Sequence, residues 1–239
     1  MKRFFVILMT LVLLICMSAV PASAATAYPL EKLAFRTGPN TRYTELFTLP
    51  QSTRITPLEL EEGNGVMWVL CEFTYNGKTY HGYTGLKRMS LSGSLQVADH
   101  VLKSGRMSQA TDVYTAPGKN AAVRGRVGRY ELVSYLRTEG SYDYIEFYDS
   151  NSKSPSRGWV NTNYVELSDA TACYMTEASN VYAEASSNSK KVGKVGKYEM
   201  VGYVGTLGSY DLITFYNASA KQTASGYVHT SIVDAYGYQ

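Results

Sequence analysis

VGRYELVSYLRTEGSYDYIEFYDSNSKSPSRGWVNTNYVEL, residues 127–167, aligns without a gap on VGKYEMVGYVGTLGSYDLITFYNASAKQTASGYVHTSIVD, residues 195–234, with about half the positions identical. The match runs upstream: TDVYTAPG from Thr111 lies over SNVYAEAS from Ser179, and Met107 over Met175. Self-similarity of this kind marks two copies of one structural unit. Within each copy, short runs of alternating apolar and polar residues are broken by turn residues, Gly128, Gly140-Ser141 and Asn151 to Ser156 in the first of the pair. That is the pattern of β-strands, and no long stretch with helical periodicity occurs after residue 24.

A more divergent copy precedes these two. LAFRTGPNTRYTELFTLPQSTRITPLEL, from Leu33, takes the place of the VYTAPG and VYAEAS segments, and GVMWVLCEFTYNGKTYHGYTGLKRM follows from Gly65 to Met89. Trp68 then falls over Tyr142 and Tyr210, Cys71 over Ile145 and Ile213, and Phe73 over Phe147 and Phe215. Gly82-Tyr83 matches Gly158-Trp159 and Gly226-Tyr227. The FRTGPN string, the Trp followed three residues later by a core position, and the closing Gly-aromatic pair resemble bacterial SH3-like domains. Copies two and three keep the aromatic of VYTAPG and VYAEAS but lose the Arg-Thr-Gly-Pro sequence.

The resemblance implies an all-β chain of three tandem small SH3-like β-barrels: repeat 1 over 28–89, a linker over 90–104, repeat 2 over 105–168 and repeat 3 over 172–235. Units of about 60 residues are close to the smallest that bury a workable core without metal or disulfides. The few residues between Leu167 and Cys173 imply that repeats 2 and 3 dock on each other. The longer link, SLSGSLQVADHVLKSG, leaves room for independent motion of repeat 1, or for a short helix or an extra strand.

The chain opens MKRFFVILMTLVLLICMSAVPASA, with Lys2 and Arg3 before an apolar run and Ala22-Ser23-Ala24 at its end. This has the three parts of a secretory signal peptide, residues 1–24. The alternative is an uncleaved anchor, since the run approaches the ~18 residues of a spanning helix. Cys16 follows the bulky Ile15, which does not suit a lipid-anchored cysteine. Loss of Lys2 and Arg3 leaves 21 basic residues against 20 acidic ones, so the net charge drops from +3 to +1. Charge alone therefore gives no case for a nucleic-acid or anionic-membrane partner. The expected location is outside the cytoplasmic membrane, secreted or associated with the cell wall, with no membrane contact after cleavage.

No residue cluster reads as catalytic. Cys71 takes the place of isoleucine in the sister copies and shares a strand face with Val69 and Phe73, so it reads as core. Cys71 and Cys173 read as two buried thiols, with a bridge as the alternative. His81, His100 and His229 have no ligand-like spacing, and Asn161 replaces His229 in copy two, as at a tolerant surface position. Glu61-Glu62 forms no carboxylate pair that the sister copies reproduce. The expectation is a non-enzyme with no metal and no cofactor.

The aromatic residues carry the functional reading. If Ile145 and Phe147 point inward, Tyr142, Tyr144 and Tyr148 point outward, and Tyr210 and Tyr216 do so in copy three. Trp68 stands in copy one, and Tyr83, Trp159 and Tyr227 join from the final strand of each copy. Such a strip suits stacking on sugar rings or clasping an extended peptide. The competing reading is that a long loop or a neighbouring barrel covers these rings. A basic pair also recurs, Arg126 and Arg129 over Lys194 and Lys197, with Arg124 and Lys190-Lys191 nearby. It suits either an anionic polymer or a solvated hairpin edge. The resemblance implies a wall-binding module for peptidoglycan or another cell-wall polymer. A secreted partner protein, or a hydrolase encoded elsewhere, is the alternative ligand.

Overall fold

The computed structural model describes residues 25–100, 102–118 and 120–234. The expected signal peptide lies outside them. The described chain is all-β, its sheets antiparallel, with no α-helix. No helix among the described residues is long and apolar enough to cross a membrane.

One pairing scheme occurs three times. The first set is β1 (Thr26–Pro29), β2 (Leu33–Arg36), β3 (Glu45–Leu49), β4 (Thr56–Gly63), β5 (Val66–Tyr75), β6 (Lys78–Gly85) and β7 (Met89–Ser92). The second is β8 (Lys103–Met107), β9 (Thr111–Tyr114), β10 (Val123–Val127), β11 (Leu132–Glu139), β12 (Tyr142–Asp149), β13 (Ser154–Asn161) and the start of β14 (Val165–Met175). The third begins at the end of β14 and continues with β15 (Ser179–Tyr182), β16 (Lys191–Val195), β17 (Met200–Leu207), β18 (Tyr210–Asn217), β19 (Gln222–His229) and β20 (Val233–Asp234). A 3-10 turn precedes the last strand of every set, at Leu86–Arg88, Thr162–Tyr164 and Thr230–Ile232.

Local chemistry sets these elements. Asn64-Gly65 and Asn76-Gly77 have positive φ at both residues, the backbone that joins tight two-residue hairpins, and they connect β4 to β5 and β5 to β6. Alternation puts Val69 and Cys71, Ile145 and Phe147, and Ile213 and Phe215 into three separate apolar cores. Val113 and Val181 enter the second and third of these, and Phe35 enters the first.

β14 is a single strand of 11 residues that closes the second set through Val165–Leu167 and opens the third through Thr171–Tyr174. It pairs with β8 on one side and β17 on the other, so the second and third sets share one 13-stranded sheet. Leu132 and Met200, equivalent residues of the two sets, pack together beneath Tyr174.

The linker is neither helical nor detached. Leu60 donates its N–H to Gln96 O at 2.8 Å and accepts from Ala98 N at 2.7 Å, forming a short parallel bridge on β4. Repeat 1 is fixed to repeat 2 as well. His81 N donates to Thr115 O at 2.7 Å and Thr79 N to Asn120 O at 3.2 Å, so β6 lies along the β9–β10 loop.

Candidate functional site

The outward faces of β5–β6 and β12–β13 meet each other, and this contact decides the fate of the aromatic strip. Tyr83, Tyr144 and Trp159 are each 0% exposed. They are not ligand contacts on an open surface. Tyr144 and Trp159 stack at 4.6 Å between ring centroids and pack with Leu136, while the Tyr144 hydroxyl donates to Tyr83 Oη at 3.4 Å. The alternation that turned them outward is kept; the neighbouring repeat covers them.

Charge is buried with them. Arg157 Nη1 donates to both Glu61 carboxylate oxygens at 2.8 Å, and its Nε donates to Glu146 Oε2 at 2.7 Å. The Tyr43 hydroxyl donates to Glu146 Oε2 at 2.6 Å, and the Tyr83 hydroxyl to Glu61 Oε2 at 2.8 Å. His100 Nε2 lies 3.0 Å from Glu61 Oε2. Burial alone would raise the Glu61 carboxyl, but the Arg157 charge and His100 overcome it and hold it at about 2. At the edge, Arg137 pairs with Glu59 at 2.6 Å and lies over the Tyr144 and Trp159 rings. Arg124 donates to the His81 and Arg157 carbonyls, so it is not a free base for a polymer. His81 is 4% exposed and burial pushes its pKa down.

His229 is exposed, as the sequence implied, and position 161/229 tolerates change for a visible reason. Asn161 Oδ1 and His229 Nδ1 each accept the backbone N–H two residues on, capping the 3-10 turn. Cys71 and Cys173 are free and buried. Burial raises the Cys71 thiol far beyond the neutral range and pushes Cys173 up to about 12, the direction that disfavours the thiolate. No cluster of three or more metal-ligating side chains occurs among the described residues.

Six predicted residues keep part of their surface: Trp68, Tyr142, Tyr148, Tyr210, Tyr216 and Tyr227 are half-buried. They do not form one strip. Trp68 Nε1 donates to Gly63 O at 3.4 Å at the end of β5. Tyr148 and Tyr216 line a cleft of about 100 Å³ between repeats 2 and 3, with the equivalent pairs Glu131–Glu199 and Leu132–Met200 and with Arg126. Burial lifts the Glu199 carboxyl above its usual range; Gly196 N–H opposes the shift and Glu131 adds to it.

Tyr142 lines a second site. An open groove of about 370 Å³ is walled by Tyr114, Tyr142 and Tyr164, with Thr111, Gly118 and Asn161. In repeat 3 the same positions hold Tyr182, Tyr210 and Ile232, with His229 edge-on to Tyr210 at 5.8 Å. Tyr114 and Tyr164 were missed as site residues, although the VYTAPG and NTNY segments could have offered them: Tyr114 recurs as Tyr182.

No protein-family model matches this chain, and no curated protein matches it. Solved structures similar to it include NlpC1 from Trichomonas vaginalis, at 13% identity and a TM-score of 0.27, covering 56% of this chain and 46% of that one. NlpC2 from Trichomonas vaginalis is similar at 12% identity and the same TM-score, covering 57% and 49%. The match thus spans about half the length of those proteins, and a likeness at this level carries no conclusion about this chain.

Proposed function

We propose that this is an exported, non-catalytic binding protein of three tandem SH3-like units that attaches to the bacterial cell wall through peptidoglycan peptide or glycan. The observation that carries the reading is the tyrosine-walled groove at Tyr114, Tyr142 and Tyr164, open in repeat 2 and repeated in residue type at Tyr182 and Tyr210. Each ring offers an apolar face to a sugar or an extended peptide and a polar tip to its hydroxyls or amides. Because β14 belongs to both repeats, the groove and the equivalent Tyr182 and Tyr210 positions are joined by one continuous strand, which suits a polymer with repeating epitopes.

Sedimentation with purified peptidoglycan sacculi, with and without their anionic polymers, tests this. The chain is expected to pellet with both preparations, and the double variant Tyr142→Ala/Tyr210→Ala to bind about tenfold or more weakly with an unchanged melting profile. A chain that stays in the supernatant with both would overturn wall binding in favour of an extracellular adaptor or an accessory subunit of a wall hydrolase.

A further inference from the structure

The contact between repeats 1 and 2 is built from equivalent faces. Strand pairing places Leu58 of β4 with Leu136 of β11, Glu59 with Arg137, Leu70 with Tyr144, and Tyr83 with Trp159. Glu59 and Arg137 are therefore the same position in two repeats, and they bond to each other across the contact. The loops reciprocate. Thr37–Asn40 of repeat 1 is buried, and Thr115–Ala116 of repeat 2 lies against β6. Two like faces related in this way make a contact of the kind found on a two-fold axis.

Repeat 3 carries the same face with no repeat on it. Its positions are Val204, Gly205, Leu207, Leu212, Ser225 and Tyr227. Val204 is 53% exposed, against 37% at Leu58 and 0% at Leu136 in the occupied faces, and Leu207 is 61% exposed. The loop residues Ala183 and Glu184 are likewise exposed. The chemistry of the face has also changed. Where repeats 1 and 2 place Glu59 against Arg137 and Glu61 against Arg157, repeat 3 has Gly205, Leu207 and Ser225, and none is charged.

That change identifies the occupant. In a symmetric contact a residue near the axis meets its own copy, so a charge there meets a like charge. Glu59 and Arg137 suit only a contact between two different repeats. An uncharged, apolar face suits itself, and the matching faces of repeats 1 and 2 are already occupied by each other. We propose that two copies of this chain associate through repeat 3, each contributing the Val204–Leu207–Leu212–Tyr227 face in the geometry that joins repeats 1 and 2. The proposal does not rest on wall binding. In repeat 2 Tyr114 and Tyr142 line an open groove beside the occupied contact, so the equivalent Tyr182 and Tyr210 are expected to stay accessible in the dimer.

Sedimentation equilibrium of the chain from Ala25 to Gln239 at micromolar concentrations tests the proposal. A dimer is expected, with Val204→Asp and Leu207→Asp each raising the dissociation constant about tenfold or more. Position 205 probes the geometry: a Cβ there meets nothing within 4 Å and its φ is not positive, so Gly205→Arg and Gly205→Glu are expected to fold, checked by an unchanged urea midpoint. Each is expected to be monomeric alone, and an equimolar mixture to form a heterodimer. A monomeric parent chain overturns the proposal, as does a dimer that persists in the Val204 and Gly205 variants. Failure of the Arg and Glu variants to recombine overturns the face-to-face geometry.

Discussion

Arg157 stands between two carboxylates that folding has taken out of water, with its guanidinium 5.6 Å from the ring centres of both Tyr43 and Tyr83. Removing a charge at such a place costs far more than the pair contributes, because the partner charges remain buried. Arg157→Met is therefore expected to destabilise the chain by about 3–5 kcal/mol in urea unfolding. Arg126→Met, at an exposed site, is expected to stay within about 0.5 kcal/mol. This cluster was not legible as a site. Glu61 reads as one of many scattered acids, and its partner lies 96 residues away. The hint lay in the differences between twins: Tyr144, Glu146 and Arg157 of repeat 2 become Leu212, Thr214 and Ser225 of repeat 3. Polar and aromatic residues lost together from one face mark a face with a different neighbour.

Among the elements, the strand bearing the Gly-aromatic pair was expected to be the last of each copy and is instead the last but one, followed by a 3-10 turn and a further strand; the structure supplies the reason for its glycine. A Cβ on Gly158 would sit 2.7 Å from Tyr114 O and 2.5 Å from Val113 Cγ1; on Gly226 it would sit 2.8 Å from Tyr182 O and 2.6 Å from Val181 Cγ1. Strands β9 and β15 cross too close for any side chain, so the glycine recurs while its aromatic neighbour varies. Gly158→Ala and Gly226→Ala are each expected to cost about 1–3 kcal/mol, measured as a lowered urea midpoint. Strand alternation was equally readable, because it depends only on the pleat. What covers an outward face depends on how repeats dock, and one strand's pattern does not contain that. Hence the inward placement of Cys71 emerged from the sequence, whereas the covering of Tyr144 and Trp159 stood there only as the competing reading.

For the whole molecule, the contact between repeats 1 and 2 makes stability depend on pH. His81 is held neutral by burial, with Arg124 acting in the same direction and Glu72 and Glu139 against it. Its folded pKa lies below the ordinary value of 6.5, so the unfolded chain takes up a proton first and stability falls as pH drops through that value. Glu61 adds a second phase. Its contribution is complete above the ordinary 4.5 and is lost as pH falls toward about 2. Urea midpoints at neutral, mildly acidic and strongly acidic pH are expected to decline in two steps, the first absent from His81→Gln.

The strand shared by repeats 2 and 3 has a mechanical meaning. Under tension, tandem units joined by loose linkers give way one after another. Here β14 is both the last strand of one unit and the first of the next, bonded to β8 along one edge and β17 along the other. Tension entering at either unit is expected to load these shared rows of hydrogen bonds, so that single-molecule pulling unfolds the pair in one step rather than two.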